Sequence, residues 1–320
     1  MTKIDATLIA IVCATKNQPE KLERLIQSIV GQSLQPAQII VCDAGSGNSK
    51  IRENYNSAIN LLHLMSPFQG QVEQRKFAYR YLDKSIELVL NLDDDVTLER
   101  DAIERLADAW NKQLEKPGLP LGGMGLNVID AIPPKKIFLR KFFLMSDTLG
   151  KVSCSGYCSS YVPANKSVNP EWLLGGSSAW RRDIIDTVQH PVDFPTRWAV
   201  YEDSIFSYLV GKKYSLSVAS EACVKHNETY AFMPFQKALF YGKSMVVMRY
   251  FFVSLNRELS VTAFYWMSIM QIASYFLLGF VENKRFFGFC LGGVAGLILC
   301  LASGLGNGSA KTLAVNLYEK

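Results

Sequence analysis

The feature that most constrains this chain is an apolar run that ends in consecutive carboxylates, Leu88-Val89-Leu90 followed by Asp93-Asp94-Asp95. A short apolar run is typical of a buried strand. Three acidic side chains at its end repel one another, which is tolerable on a solvated loop or around a divalent cation. Hard cations such as Mg²⁺ take carboxylate and phosphate oxygens as ligands. The plainer interpretation is an acidic N-cap before a helix at Glu99–Trp110.

Segments around that run alternate between strand and helix patterns. Strands are predicted before each polar turn, at Thr7–Ala14, Gln38–Cys42 and Ile59–Met65. Amphipathic or basic helices are predicted at Glu20–Val30 and Gly70–Leu82. The alternation favours an α/β fold with a doubly wound sheet and helices on both faces. Ligands of such sheets bind at the carboxyl ends of the strands.

The pattern is looser after residue 110. We expect a strand at Leu121–Asp130, a strand-turn-strand piece at Trp172–Trp180 and a helix that begins at Tyr201-Glu202-Asp203. An edge strand is predicted at Lys212–Ala219, with His226 in the loop that follows. The order of strands across the sheet stays open at this point.

Two uncharged stretches near the end of the chain, Val261–Phe280 and Phe286–Leu305, are long enough to cross a membrane. They predict two hydrophobic helices, at about 261–280 and 286–305, in a C-terminal region 236–320 that follows a catalytic domain 1–235. A buried hairpin packed on the soluble domain is the alternative. Lys284 and Arg285 lie between the stretches, and on a spanning hairpin they would violate the positive-inside tendency. A shallow hairpin removes that conflict.

Composition excludes some classes of function. The formal net charge is +5, and the basic residues form no continuous stripe with aromatics, which argues against nucleic-acid binding. The chain has seven cysteines without disulfide or zinc spacing, so reduced thiols in a reducing compartment are expected. The N-terminus has no signal-peptide pattern, which predicts a cytoplasmic catalytic part. The basic-aromatic run Lys135–Met145 suits a membrane interface or a packed helix.

The polar residues at the predicted strand ends form an ordered set. Thr15 and Asn17 follow the first strand, Asp43 follows the second, and the aspartates follow the fourth. Gly175-Gly176-Ser177 and Glu202-Asp203 come later in the chain. An isolated Asp-x-Asp is a weak signal, whereas this ordered set is a strong one.

With these motifs in order, the sequence resembles a family 2 glycosyltransferase of the non-processive, membrane-associated bacterial type, over roughly Thr7 to His226. The segments that carry the resemblance are VCATKN, VCDAGSGNS, QRKFAYRYL, LNLDDDV, LLGGSSAWRR and VYEDSIF. The resemblance implies a glycosyltransferase-A type fold with a mixed sheet. It also implies inverting transfer from a nucleoside diphosphate sugar, with Mn²⁺ or Mg²⁺ as cofactor. Processive members carry Gln-x-x-Arg-Trp after Glu-Asp, whereas here Arg197-Trp198 comes before it.

The resemblance also implies roles for single residues. Asp203 would be the general base, Asp95 would bind the metal, and His226 would be either a further metal ligand or a structural histidine. Two expectations for Asp94 stay open: it points away and supports the loop, or it joins the nucleotide-sugar contacts. The remaining histidines, His63 and His190, are interpreted as structural. Nucleotide-sugar contacts are expected from Thr15, Asn17, Asp43, Arg75, Asp93, Asp94, Gly175, Gly176, Ser177 and Glu202.

The expected partners are a donor of the UDP type and a lipid-linked saccharide acceptor in cell-surface polysaccharide synthesis. The enzyme would then lie at the cytoplasmic face of the inner membrane. Two alternatives stay open. A nucleotidyltransferase would use the same sheet, but it usually has a glycine-rich loop after the first strand, where this chain has Thr15-Lys16-Asn17-Gln18-Pro19. A membrane-anchored scaffold with an inactive site is the other.

Overall fold

The computed structural model describes residues 3–45, 55, 59–133, 140–188, 190–191, 200–226, 233–305 and 309–317. The predicted segment Lys135–Met145 lies partly outside these ranges, and Arg197-Trp198 lies wholly outside them. The strands are β1 Ile9–Thr15, β2 Gln38–Asp43, β3 Leu61–Met65, β4 Leu88–Asp93, β5 Val96–Leu98, β6 Leu121–Val128, β7 Ser177–Arg181 and β8 Ser215–His226. The helices are α1 Pro19–Val30, α2 Gln71–Tyr79, α3 Ala102–Leu114, α4 Arg182–Thr187, α5 Glu202–Gly211, α6 Phe235–Leu255, α7 Val261–Val281, α8 Arg285–Leu305 and α9 Ala310–Asn316.

The eight strands form one mixed sheet in the order β3-β2-β1-β4-β7-β6-β8-β5. The strands β3, β2, β1 and β4 are parallel, while β7 runs antiparallel to both β4 and β6. This is the α/β fold with a mixed sheet that the sequence predicts. The parallel half brings the ends of β1, β2 and β4 to one edge, where the polar residues were expected to converge.

Alternation along the central strands explains why helices cover both faces. On β1, Ile9, Ile11 and Cys13 belong to the core beneath α1 and α3. Ala10 and Val12 point the other way, into the core beneath α2. Successive strand residues face opposite sides, so a continuous apolar strand needs cover on both. All seven cysteines are free thiols, as expected.

The predicted edge strand at Lys212–Ala219 had the wrong bounds, because β8 begins at Ser215 and ends at His226. The strand β8 extends to His226 and pairs with β6 on one side and β5 on the other. The short strand β5 covers only residues 224–226 of β8, and residues 215–223 pair with β6 alone in the described sheet, so they lie at its edge. The three-residue strand β5 follows the aspartates directly, and its shortness hid it from the sequence pattern. Since Val96 pairs with His226, the histidine ends a strand and does not lie in a loop.

The strand-turn-strand interpretation of Trp172–Trp180 was also wrong. Only Ser177–Arg181 is a strand, and the residues before it are irregular. Two glycines precede the strand, and glycine weakens strand pairing because it has no side chain to pack.

Candidate active site

A cavity of about 330 Å³ lies at the carboxyl ends of β1 and β4. Ala14 of β1 pairs with Asp93 of β4, so the parallel register sets the two strand ends side by side. The cavity, called the donor cavity below, is lined by Ala14, Thr15, Lys16, Asn17, Gln18, Lys21, Gly70, Gln71, Gln74, Asp93, Asp94, Asp95 and Lys237. Five of the residues expected from the sequence therefore share one cavity.

The prediction that Asp94 turns away was wrong. Its carboxylate accepts a hydrogen bond from the Thr15 hydroxyl at 2.5 Å and lines the donor cavity. Burial raises the pKa of Asp94 to about 6, and the charges of Asp95 and Asp93 add to this effect. The hydrogen bond to Thr15 exists because β1 and β4 are neighbours, which no local pattern in the sequence reports.

Asp95 and His226 lie together at the end of the β5–β8 pair. His226 Nε2 is 3.4 Å from Asp95 Oδ1, and Lys21 Nζ is 3.5 Å from Asp95 Oδ2. The backbone N–H of His226 donates to Asp130 Oδ1 at 2.9 Å, which fixes the end of β8. Among the described residues, no group of three or more His, Cys, Asp and Glu side chains is arranged to hold a metal ion.

Asp43 lies at the end of β2, next to the first strand. Burial raises its pKa, but the contact with His63 and the backbone N–H of Gly45 outweigh burial and lower the pKa below its usual value. His63 Nε2 is 3.5 Å from Asp43 Oδ2, and Gly45 N donates to Oδ1 at 2.7 Å. His63 therefore supports a predicted site residue, which the sequence did not indicate. A Cβ on Gly45 would lie 2.6 Å from Asn17 Oδ1, so this turn packs closely on Asn17.

Arg75 is buried between two carboxylates and is not among the residues that line the donor cavity. Its guanidinium contacts Asp93 Oδ1 at 2.8 Å and Glu202 Oε1 at 3.2 Å. Gln71 also donates to Asp93. Because Asp93 ends β4 and Glu202 begins α5, Arg75 joins the two halves of the site. The sequence pattern had suggested instead a contact with base or phosphate.

A second cavity, of about 390 Å³, shares Gln71 and Asp93 with the donor cavity and reaches Asp203. We call it the acceptor-side cavity. It is lined by Gln71, Asp93, Tyr157, Cys158, Trp172, Leu174, Gly175, Gly176, Val200, Tyr201, Glu202, Asp203, Ser204, Tyr241, Met245, Arg249 and Gln271. Burial raises the pKa of Asp203, although the backbone N–H groups of Ser204 and Gly175 donate to its carboxylate.

Gly175 and Gly176 have no room for a side chain. A Cβ on Gly176 would lie 2.0 Å from Asp93 Oδ2, and one on Gly175 would lie 2.6 Å from Glu202 Oε1. The glycines thus let the backbone lie against both carboxylates. Ser177 does not join them, because it is buried within β7, opposite Leu92 of β4.

Tyr201 holds the start of α5 in an unusual conformation, with a φ of 68°. Such a φ is uncommon for a bulky residue and needs support from its surroundings. The Tyr201 hydroxyl donates to the Gly156 carbonyl at 3.1 Å and accepts from Arg249 Nε at 2.8 Å. Arg249 is fully buried and also donates to Gln271 Oε1 of α7 at 2.9 Å. The C-terminal helices therefore hold the turn that presents Glu202 and Asp203.

Sequence reasoning missed the lining residues from α6 and α7, among them Lys237, Tyr241, Met245, Arg249 and Gln271. Arg249 was the available signal. A lone arginine in an apolar helix is costly to bury unless polar groups receive its N–H groups, so its position in VVMRYFF indicated a tertiary contact.

Comparison with known proteins supports the fold. Residues 10–116, about a third of the chain, match the family model described as Glycosyl transferase family 2. TarS 1-349 from S. aureus has a TM-score of 0.53 and 13% identity, covering 97% of this chain and 88% of that one. Mannosyltransferase PcManGT from Pyrobaculum calidifontis, in complex with GDP-Man and Mn2+, has a TM-score of 0.54 and 12% identity, covering 94% and 88%. No protein of curated function matches the sequence.

Proposed function

We propose that the chain is a glycosyltransferase, because residues 10–116 match the model of glycosyl transferase family 2 and the fold resembles those of solved glycosyltransferases. The protein moves one sugar, with inversion, from a nucleoside diphosphate sugar to a lipid-linked saccharide acceptor. The observation that carries the proposal is the pair of adjoining cavities. One is lined by the three aspartates at the strand ends, the other contains Asp203, and Asp93 belongs to both.

The donor cavity suits a nucleoside diphosphate sugar. Lys21 and Lys237 bring positive charge to its wall, which suits a diphosphate. Asp43, kept ionised by His63 and Gly45, would accept hydrogen bonds from the base or ribose beside Thr15 and Asn17. PcManGT was solved with GDP-Man, so UDP and GDP sugars are both candidates.

The residues around Asp95 fit a divalent cation. A carboxylate and an imidazole 3.4 Å apart are a donor pair that Mn²⁺ accepts. Two protein ligands suffice where the substrate diphosphate supplies further oxygens. A bound Mn²⁺ or Mg²⁺ would neutralise charge on the leaving diphosphate. PcManGT was solved with Mn2+.

Asp203 is proposed as the general base. Its carboxylate would take the proton of the acceptor hydroxyl while that oxygen attacks the anomeric carbon and the nucleoside diphosphate leaves. Asp93 and Asp203 line the same cavity, and Gly175 and Gly176 let the backbone beside it pack against Glu202 and Asp93. Arg75 would keep Asp93 and Glu202 in register, so that donor and acceptor meet in line.

Membrane attachment completes the proposal. The helices α7 and α8 are long and apolar enough to cross a membrane, and only 22% and 33% of their apolar windows are buried. We place them at the cytoplasmic face of a bacterial inner membrane, where lipid-linked saccharides for surface polysaccharides are assembled. The division into 1–235 for transfer and 236–320 for membrane contact stays a proposal. The helix α6, which begins at that boundary, also lines both cavities.

A thermal-shift screen tests this function. The purified full-length chain is heated with each of a panel of UDP and GDP sugars, with and without Mn²⁺. A ligand at 100 times its Kd stabilises the folded state by about 2.7 kcal/mol. We expect a shift with one nucleotide type that requires the metal and disappears in Asp95→Asn but not in the matched variant Asp101→Asn. The absence of any shift across the panel would contradict the proposal.

A further inference from the structure

The helix α6 packs along the catalytic domain from its first turn to its end. Lys237, in the first turn, lines the donor cavity, and Arg249, further along, contacts Tyr201. Just beyond the last turn, Asn256 accepts a hydrogen bond from Lys212 at 2.7 Å. A helix of 21 residues is about 31 Å long. The helix α6 therefore lies along the surface of the catalytic domain over its whole length and does not project from it.

The helix α8 runs parallel to α6 in close contact. A Cβ on Gly288, Gly292 or Gly296 would lie 2.8, 2.0 or 2.8 Å from the carbonyl oxygens of Phe235, Leu239 or Lys243, respectively. The residue numbers rise together along both helices, which sets their direction. Small residues four apart allow this close approach of two backbones. The hairpin turn at residues 282–284 thus lies beside the first turn of α6, level with the donor cavity.

This arrangement is incompatible with a hairpin that crosses a bilayer. The helix α8 has 21 residues, about the thickness of the hydrocarbon core if it stood upright. The hairpin turn at residues 282–284 and the first turn of α6 would then both lie on the far side of the membrane. Because Lys237 of that first turn lines the donor cavity, the donor cavity would lie there too. The charged catalytic domain beside α6 would have to lie in hydrocarbon, which unsatisfied polar groups forbid.

The hairpin nevertheless exposes a large apolar face. The helix α7 exposes Leu277, Phe280 and Val281 at 65%, 71% and 81%, and α8 exposes Leu291 and Ile298 at 54% and 59%. Contiguous exposed apolar surface of this kind marks a membrane or protein contact. At one end of α7, Trp266 donates its indole N–H to the Phe142 carbonyl and packs on the Phe142 ring. At the other end, Lys284 is exposed. Aromatics and lysines are typical of membrane interfaces.

We propose that α7 and α8 lie in one leaflet, parallel to the membrane plane, with this apolar face in the acyl chains and both ends of the hairpin on the catalytic side. The inference deepens the membrane attachment proposed above and rests on it. Lys284 and Arg285 then lie among the headgroups of the leaflet that the enzyme faces, where basic residues are favoured. Gln271 of α7 lines the acceptor-side cavity, so the acceptor hydroxyl is reached from that same leaflet.

Cysteine labelling in sealed vesicles tests the arrangement. Lys284→Cys and the control Glu115→Cys are made separately in the Cys154→Ser background, because Cys154 is exposed. Inverted inner-membrane vesicles with the catalytic domain outside are treated with a membrane-impermeant maleimide before and after detergent. We expect both cysteines to react equally before detergent. Reaction of Lys284→Cys only after detergent would mean that the hairpin spans, and the proposal would be overturned.

A second pair of variants tests the face itself. Leu277→Glu combined with Ile298→Glu should release the chain from salt-washed membranes. Leu119→Glu, at an equally exposed apolar residue of the catalytic domain, should leave it bound. Retention of the folded double variant would overturn the proposal, as would a wild-type chain that stays soluble and dimeric through this face. Sugar transfer measured in detergent distinguishes the in-plane hairpin from the proposed transferase activity. If the cysteine of Lys284→Cys is protected from the maleimide while transfer is intact, only the in-plane hairpin is contradicted.

Discussion

The donor cavity and the acceptor-side cavity adjoin, but they are built from different kinds of sequence. Most of the donor cavity comes from short segments at strand ends and the first turns of helices, and its aspartates stand in one run. The acceptor-side cavity draws residues from distant segments, including α6 and α7. Local patterns therefore reveal most of the first cavity, whereas in the second they reveal the Gly-Gly and Glu-Asp segments but not the residues from α6 and α7. The comparison predicts that mutations in the donor cavity and mutations in the acceptor-side cavity impair different steps, donor binding in the first and turnover in the second.

The largest expected effect is on the acceptor side. Asp203→Asn keeps the shape of the side chain and one oxygen that can accept from the Ser204 N–H, but it loses the second acceptor, which faces the Gly175 N–H at 3.4 Å, and it removes the base. Turnover should fall by about 10²–10⁴-fold, the usual contribution of a general base. Transfer of labelled sugar from the donor into a membrane fraction measures it. Asp183→Asn, at an exposed carboxylate, is the control and should retain activity. Unchanged turnover in Asp203→Asn would move the base elsewhere.

Loss of a proposed metal ligand should have a smaller effect than loss of the base, and the effect should be confined to the donor cavity. His226→Ala removes the imidazole beside Asp95 and should raise the Mn²⁺ concentration for half-maximal activity by about 10–100-fold, as loss of metal-supporting groups does. A chelator should abolish activity in both proteins. The neighbouring variant Lys225→Ala, whose side chain pairs with Glu99, should behave as wild type. An unaltered Mn²⁺ requirement in His226→Ala would make this histidine purely structural.

Gly176→Ala tests the point where the cavities meet. Its new methyl group would collide with Asp93, and overpacking of this kind costs about 1–3 kcal/mol. Because Asp93 belongs to both cavities, donor affinity and turnover should both decline, the former by about tenfold. Titration calorimetry and the transfer assay measure the two. At Gly31 a methyl group meets no atom closer than 3.5 Å, so Gly31→Ala should have no effect on either quantity.

The smallest expected effect is on the pH dependence, which should distinguish Asp203 from Asp43. A base must be ionised, and burial raises the pKa of Asp203, so kcat should fall as pH drops through a value above that of an ordinary aspartate. Asp43 has a lowered pKa and stays ionised over the same range, so its contribution to donor binding should be retained. The measurement is kcat against pH at saturating donor. An acid limb at the ordinary aspartate value would show that Asp203 is not the limiting group.

The sequence predicted the donor cavity well for a physical reason. Strand periodicity located β1, β2 and β4, and parallel strands bring their carboxyl ends together, so the convergence of Thr15 with the aspartates followed. The orientation of each side chain did not follow. Asp94 turned to Thr15, and Arg75 turned to Asp93 and Glu202, because neighbours distant in sequence offered them partners.

The rest of the site was harder to predict, because Gly175, Gly176, Glu202 and Asp203 lie in local motifs but the residues contributed by α6 and α7 do not. The position of His226 depends on β5, which is only three residues long. The hydrophobic helices were predicted from composition, but composition carries no information about direction. That α8 runs parallel to α6 follows from which α6 carbonyls Gly288, Gly292 and Gly296 meet. Tertiary contacts thus changed the expected relation between membrane and active site.

The division between the two cavities is tested most directly by calorimetric titration of wild type, Asp203→Asn and Asp95→Asn. The ligand is the nucleoside diphosphate sugar selected by the thermal-shift screen, added with and without Mn²⁺. We predict that Asp203→Asn binds the donor as tightly as wild type and that Asp95→Asn loses the metal-dependent part of the affinity. Equal loss in both variants, or normal metal-dependent binding by Asp95→Asn, would contradict the account.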